Sequence, residues 1–173
     1  MAQNHKKVFD GIFAQLEETD GNVVLFDAKG SPSVIFAMTN PVPRLCTDSE
    51  RYMLFQDMLA NIVQTLGEGY ALQKQDIFCR QSYRHEVPDG AEYLTRSYFA
   101  YFEGRGYTEI STYLIITQEA PKGQFVQYDP KRWLDFHSKV SKVDDILSEK
   151  GITHRRLTKP EVSEYIHRLS LIH

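Results

Sequence analysis

The chain has 173 residues, of which 42% are hydrophobic and 25% charged, an ordinary globular composition that folds without metal or disulfide. Its net charge of -3 argues against nucleic acid as the main ligand, since duplex binding draws on surplus Lys and Arg to neutralise phosphate. Cys46 and Cys79 follow no signal-peptide pattern, and no apolar run approaches the roughly 20 residues that span a bilayer, so a reduced, cytoplasmic setting is expected.

Size predicts one domain over residues 1–173, with 1–20 and 152–173 as peripheral pieces. Val8, Phe9, Ile12, Phe13 and Leu16 fall at helical spacing, but Gly11 weakens a helix there and leaves a short irregular segment as the alternative. Val23–Phe26 and Val34–Met38 are β-rich runs, and the Gly and Pro of Asp27–Pro32 between them predict a hairpin. Pro41 and Pro43 stop the second run. Thr47 and Glu50 have the spacing of a capping box, followed by a helical stripe of Tyr52, Phe55, Leu59, Ile62, Val63 and Leu66 that ends at Gly67.

Tyr70–Gln118 reads as strand, helix, Gly104-Arg105-Gly106 break and strand, the pattern of a βαβ unit. Asp89 is placed to cap the helix, whose buried stripe is expected to be Leu94, Tyr98, Tyr101 and Phe102. Thr108–Thr117 carries Ile110, Thr112, Leu114 and Ile116 on one face and Tyr113 and Ile115 on the other, which predicts a central strand. Asp129-Pro130 opens a helix with Trp133, Phe136, Val140, Val143 and Leu147 on its apolar stripe. Thr158 and Glu161 form another capping box, ahead of Val162, Tyr165, Ile166 and Leu169. That helix runs to the last residues without a Gly or Pro stop, a pattern expected of a piece cut from a longer protein.

The expected architecture is therefore α/β (α+β): an N-terminal hairpin, a mixed sheet of about four strands, two crossover helices and a C-terminal helix pair. Right-handed crossovers are expected wherever parallel neighbours are joined.

No catalytic centre emerges. Asp27-Ala28-Lys29-Gly30-Ser31 reverses the order of a phosphate-binding Gly-Lys-Ser loop, and Gly67-Glu68-Gly69 follows a helix where a dinucleotide site needs a strand. Cys79 and His85 lack a third metal ligand in register, and Asp144 and Asp145 point apart on a helix. Lys74 and Asp76 share one face of a strand, close enough to pair or to meet a partner. The one basic cluster, His154, Arg155 and Arg156 with Lys150 and Lys159, has three readings: a solvated loop, a protein contact or a nucleic-acid contact.

Three strings carry a family resemblance: Leu72–Phe78 (LQKQDIF), Leu94–Thr117 (LTRSYFAYFEGRGYTEISTYLIIT) and Gln127–Leu147 (QYDPKRWLDFHSKVSKVDDIL). They resemble the N-terminal region of the TraG-type conjugation proteins of Bacteroidales conjugative transposons, relatives of the VirB4-like ATPases of type IV secretion. The resemblance implies the accessory domain of a large ATPase, cytoplasmic and peripherally associated with the inner membrane, that acts in DNA transfer at the mating channel. ATP and Mg are implied only for the motor domain that would follow, because this chain has no Walker motif. Expected partners are that motor, neighbouring subunits and the channel's inner-membrane proteins. The residues expected to hold or rim the contact surface are Lys74, Asp76, Arg96, Arg105, His154, Arg155 and Arg156, with no catalytic, cofactor or metal residue among them. Alternatives are a small nucleic-acid-binding module and an enzyme without a recognised motif.

Overall fold

A computed structural model describes residues 13–19, 22–45, 48–84, 86–121 and 129–170. Six strands, β1 (Phe13–Thr19), β2 (Asn22–Asp27), β3 (Pro32–Met38), β4 (Tyr70–Ser82), β5 (Gly106–Gln118) and β6 (His154–Arg156), form one sheet in the order β1-β2-β3-β5-β4, with β6 also on β3. The helices are α1 (Val42–Leu45), α2 (Ser49–Leu66), α3 (Tyr93–Phe102), α4 (Pro130–Glu149) and α5 (Lys159–Ser170).

Every hydrogen-bonded strand pair is antiparallel. β3 pairs with β5 from Ser33↔Thr117 to Met38↔Thr112, and with β6 from Phe36↔Arg156 to Met38↔His154. Glu119 N donates to Gly69 O and Tyr83 N to Arg105 O, both at 2.8 Å, so β4 and β5 also run in opposite directions. The parallel neighbours of a mixed sheet are thus absent among the described residues. Crossovers exist in another form. β3 and β4 point the same way with β5 between them, and α2 joins them; β5 and β6 point the same way with β3 between them, and α4 joins them. The path β3-α2-β4-β5-α4-β6, with strand order β6-β3-β5-β4, is the split βαβ arrangement of ferredoxin-like sheets.

The helix α3 is no crossover. It lies in the connection between two adjacent antiparallel strands, which corrects the βαβ reading of Tyr70–Gln118. The strands it joins are hydrogen-bonded to each other directly, and Tyr83 N donates to Arg105 O at 2.8 Å where the connection leaves β4 and enters β5.

The core lies on one face of the sheet. Val34, Phe36 and Met38 of β3 and Leu114 and Ile116 of β5 meet Met58, Ile62 and Leu66 of α2 and Phe136, Val140, Val143 and Leu147 of α4. The α4 stripe is the expected one. On α2 the stripe turns toward Met58, leaving Tyr52 and Val63 exposed. Lys139 of α4 donates to the carbonyl of Leu66 at 2.7 Å, satisfying an orphan group at the end of α2 and tying the two helices together. The opposite face is covered by α5, where Val162 and Tyr165 are buried and Tyr165 packs edge-on against Tyr113 at 4.9 Å.

Helix starts follow local chemistry. Asp129 accepts from Lys131 N ahead of Pro130, and Glu161 accepts from both Thr158 N and Thr158 Oγ1, which supplies the glutamate's half of the second capping box. For α2 the cap is Asp48, which accepts from Glu50 N and Arg51 N; Thr47, the expected cap, lies outside the described residues. The residue before α3 is Glu92, with no side-chain cap, and Asp89 lies in a turn instead. The hairpin from β2 to β3 is as expected: Asp27 Oδ1 accepts from Lys29 N and Ser31 N, and Gly30 takes φ 75°. Phe13 and Leu16, expected on a helix or a short irregular segment, lie on strand β1, while Val8, Phe9 and Ile12 fall outside the described residues.

The chain divides into two compact units: Asp76–Ser111 forms one, and the residues on either side of that segment form the other. The core above belongs to the larger unit.

Candidate functional site

The smaller unit contains the ends of β4 and β5 and all of α3. Among its described residues the one buried hydrophobic side chain is Ile77. On α3 the stripe Leu94, Tyr98 and Tyr101 has the i, i+4, i+7 spacing of a core-facing helix, yet these residues are 77%, 59% and 61% exposed, and Tyr93 is 81% exposed. The expected burial of this stripe is therefore corrected: no residue of α3 is buried. Phe78 on β4 and Tyr107 and Ile110 on β5 add further exposed apolar surface to the unit.

A small aromatic cluster holds the helix in place. Phe102 lies 6.0 Å from Tyr83, 4.7 Å from Tyr98 and 5.0 Å from Tyr101, and Phe99 packs edge-on to Tyr98. Arg105 places its guanidinium 3.6 Å from the centroid of the Tyr101 ring, a cation–π contact that fixes that ring. Gly104, at φ 73°, donates to Tyr83 O and closes the turn after α3. The result is an ordered aromatic surface rather than a set of loose side chains.

Composition adds to the geometry. Residues 76–111 carry five tyrosines (Tyr83, Tyr93, Tyr98, Tyr101, Tyr107) and four arginines (Arg80, Arg84, Arg96, Arg105), six carboxylates and no lysine. Tyr and Arg are enriched, and Lys depleted, at protein–protein interfaces.

The seven residues singled out from the sequence fall in both units. Lys74, His154, Arg155 and Arg156 belong to the larger unit, and Asp76, Arg96 and Arg105 to the smaller. Lys74 and Asp76 both take part in interactions. Arg96 is exposed on α3, and its guanidinium makes no hydrogen bond or ion pair among the described residues. The basic cluster is largely neutralised by its own neighbours. His154 sits with Nε2 2.5 Å from Asp144 Oδ1 and Nδ1 2.7 Å from Ile152 O, and Arg156 pairs with Asp144 Oδ2 at 3.0 Å. Asp144, which the sequence places on a helix pointing away from Asp145, thus bridges two members of that cluster. Arg155 makes a two-pronged pair with Glu161 at 2.7 and 2.5 Å. Hydrogen bonds from Arg155 and from Thr158 hold the Glu161 carboxyl down at about 2.

Other shifted groups serve packing. Burial, and secondarily Tyr113, pushes the Tyr165 hydroxyl up to about 12, and that hydroxyl donates to Gln75. Burial followed by the bond to Asp135 raises Tyr70, which also accepts from Gln118. Burial, then the Arg156 charge, lowers His137. None of these groups is arranged as an acid–base pair around a reacting position. Among the described residues no group of three His, Cys, Asp or Glu side chains is placed to hold a metal; Cys79 is a half-buried free thiol, and Cys46 and His85 lie outside the described residues. Among the described residues no helix is long and apolar enough to cross a membrane.

Compared with protein families, curated proteins and solved structures, the chain matches none. The class of protein is set by its own geometry: an α+β domain with a six-stranded antiparallel sheet and an exposed, ordered aromatic helix. Sequence reasoning had the residues of that helix in hand but assigned them to the core. The signal it passed over was local composition, since none of the chain's ten lysines falls in 76–111 while half of its ten tyrosines do.

Proposed function

We propose that this chain is a non-catalytic docking module whose α3 stripe, Leu94, Tyr98 and Tyr101, inserts into an apolar groove of a protein partner. The observation that carries this reading is the exposure of an ordered, core-like helical stripe. Anchors at i, i+4 and i+7 are the pattern by which an amphipathic helix fills a groove. The partner's chemistry follows from the flanking charges: Arg96 is unpaired among the described residues and Arg105 stands over Tyr101, so carboxylates at the groove's rim complement them. A protein is favoured over a nucleic acid or an anionic lipid surface because six carboxylates outnumber four arginines in the unit.

Joined to the sequence resemblance, this reading makes the chain the N-terminal accessory domain of a conjugative transfer ATPase. It docks that enzyme, at the cytoplasmic side of the inner membrane, to a neighbouring subunit or to the channel's inner-membrane proteins.

The test replaces Leu94, Tyr98 and Tyr101 together by Ser in the full-length protein and measures mating frequency. Loss of such anchors is expected to lower transfer by about tenfold or more, and Leu94→Ser alone, which takes nothing from the aromatic cluster, is expected to lower it too while the melting temperature of the 173-residue chain stays within about 2 °C. Unchanged transfer by a stably expressed triple variant would overturn the reading.

A further inference from the structure

A cleft of about 250 Å³ opens in the larger unit where the segment after β3, the first half of α2 and the α4–β6 turn meet. Its apolar wall is made by Phe55, Met58 and Ile152, with Met58 reaching the core. A dry apolar cavity of about 150 Å³ accommodates a benzene ring, so this cleft has room for a phenyl-sized body and a short polar tail.

The polar groups around it are biased to one kind. Lys150 makes no side-chain hydrogen bond or ion pair among the described residues, and Arg51, though paired through Nε with Asp48 at 3.2 Å, is 65% exposed and makes no other. Asn40 spends its Oδ1 on Val42 N at 3.0 Å, which leaves its amide NH2 as a donor. Thr39 and Thr153, joined by the bond from Thr39 N to Thr153 O at 2.9 Å, also line the cleft. No carboxylate is among the described lining residues. Two cations, an amide donor and two threonines around an apolar wall complement an acceptor-rich anion with an apolar body.

We propose that this cleft is a binding site for an apolar carboxylate of about amino-acid size, with Arg51 and Lys150 holding the carboxylate and Phe55, Met58 and Ile152 its apolar body. The chemistry is shared by a free small acid and by the C-terminal residue of a protein chain. The site is independent of the docking helix, and the two stand or fall separately.

The test is a titration of the ¹⁵N-labelled 173-residue chain followed by amide chemical shifts. The probes are 3-phenylpropionate, its carboxamide, and the peptide acetyl-Ala-Ala-Phe with a free carboxylate. Saturable shifts at Thr39, Gly151 and Thr153 are expected with the acid, with binding about tenfold weaker for the carboxamide. Arg51→Gln and Lys150→Gln should each weaken the acid by about tenfold, whereas Lys142→Gln, on the exposed side of α4 and outside the cleft, should not change it. Both substituted cations are exposed, so melting should be unaffected. A peptide tighter than the free acid assigns the site to a chain terminus; a free acid as tight or tighter assigns it to a small ligand. Absence of saturable shifts at millimolar acid, equal binding of the carboxamide, or indifference to both charge removals would each overturn the proposal.

Discussion

At the scale of single residues, the charged groups that look most available in the sequence are largely held by one another. Arg155 and Thr158 together grip Glu161, which closes the start of α5 and keeps its carboxyl ionised down to about 2. Because the folded-state value lies below the ordinary carboxylate value of 4.5, the unfolded chain takes up the proton first as pH falls. The stabilisation is complete above about 4.5 and is lost as pH falls toward 2. Glu161→Gln is therefore expected to lower the unfolding free energy at neutral pH by about 0.5–1 kcal/mol, the scale of a solvent-screened pair. The gap from the parent should close when urea midpoints are compared at pH 6 and pH 2.5. A gap that stays constant with pH would show that the carboxylate charge contributes nothing there. The capping box itself was legible, because Thr158 and Glu161 have the required spacing. The ion pair was not, since nothing in the spacing says whether Arg155 turns to its neighbour or to solvent.

At the scale of elements, two helices with the same kind of stripe meet opposite fates. On α4, Phe136, Val140, Val143 and Leu147 are fully buried, as periodicity predicts. On α3, Leu94, Tyr98 and Tyr101 satisfy the same periodicity and stay exposed. Periodicity reports that a helix has an apolar side but not what covers it. What sets the place of α3 is the pairing of the strands it joins: β4 and β5 are direct antiparallel neighbours, closed by the bond from Tyr83 N to Arg105 O, whereas α2 and α4 each carry the chain past an intervening strand. The contrast gives a paired prediction. Leu147→Ala should cost about 2–5 kcal/mol because it leaves a cavity in a closed core, while Leu94→Ser should change stability by no more than about 0.5 kcal/mol. Chemical denaturation of the two variants decides it, and comparable losses would mean that α3 is packed against something in the folded chain.

At the scale of the whole molecule, the antiparallel sheet with two split βαβ crossovers gives most of its buried surface to β3, β5, α2 and α4, and very little to residues 76–111. Which strand lies between which could not be read from the sequence, because β3, β5 and β6 come together only through contacts far apart along the chain. The apolar faces of the strands were legible; their order was not. The distribution of burial should appear as a distribution of stability, since segments with few buried contacts open without global unfolding. Native-state hydrogen exchange is expected to show the amides of Ile35–Met38, Leu114–Ile116 and Val140–Leu147 exchanging only through global unfolding. The amides of Tyr93–Phe102 should exchange through a local opening several kcal/mol less costly, unresponsive to denaturant concentrations that accelerate the core. A bound partner should then slow exchange selectively over Tyr93–Phe102, and an apolar carboxylate seated near Met58 and Ile152 should not. If Tyr93–Phe102 exchanged at the global rate in the free chain, the helix would already have its cover within the molecule, and its exposed stripe would no longer argue for a partner.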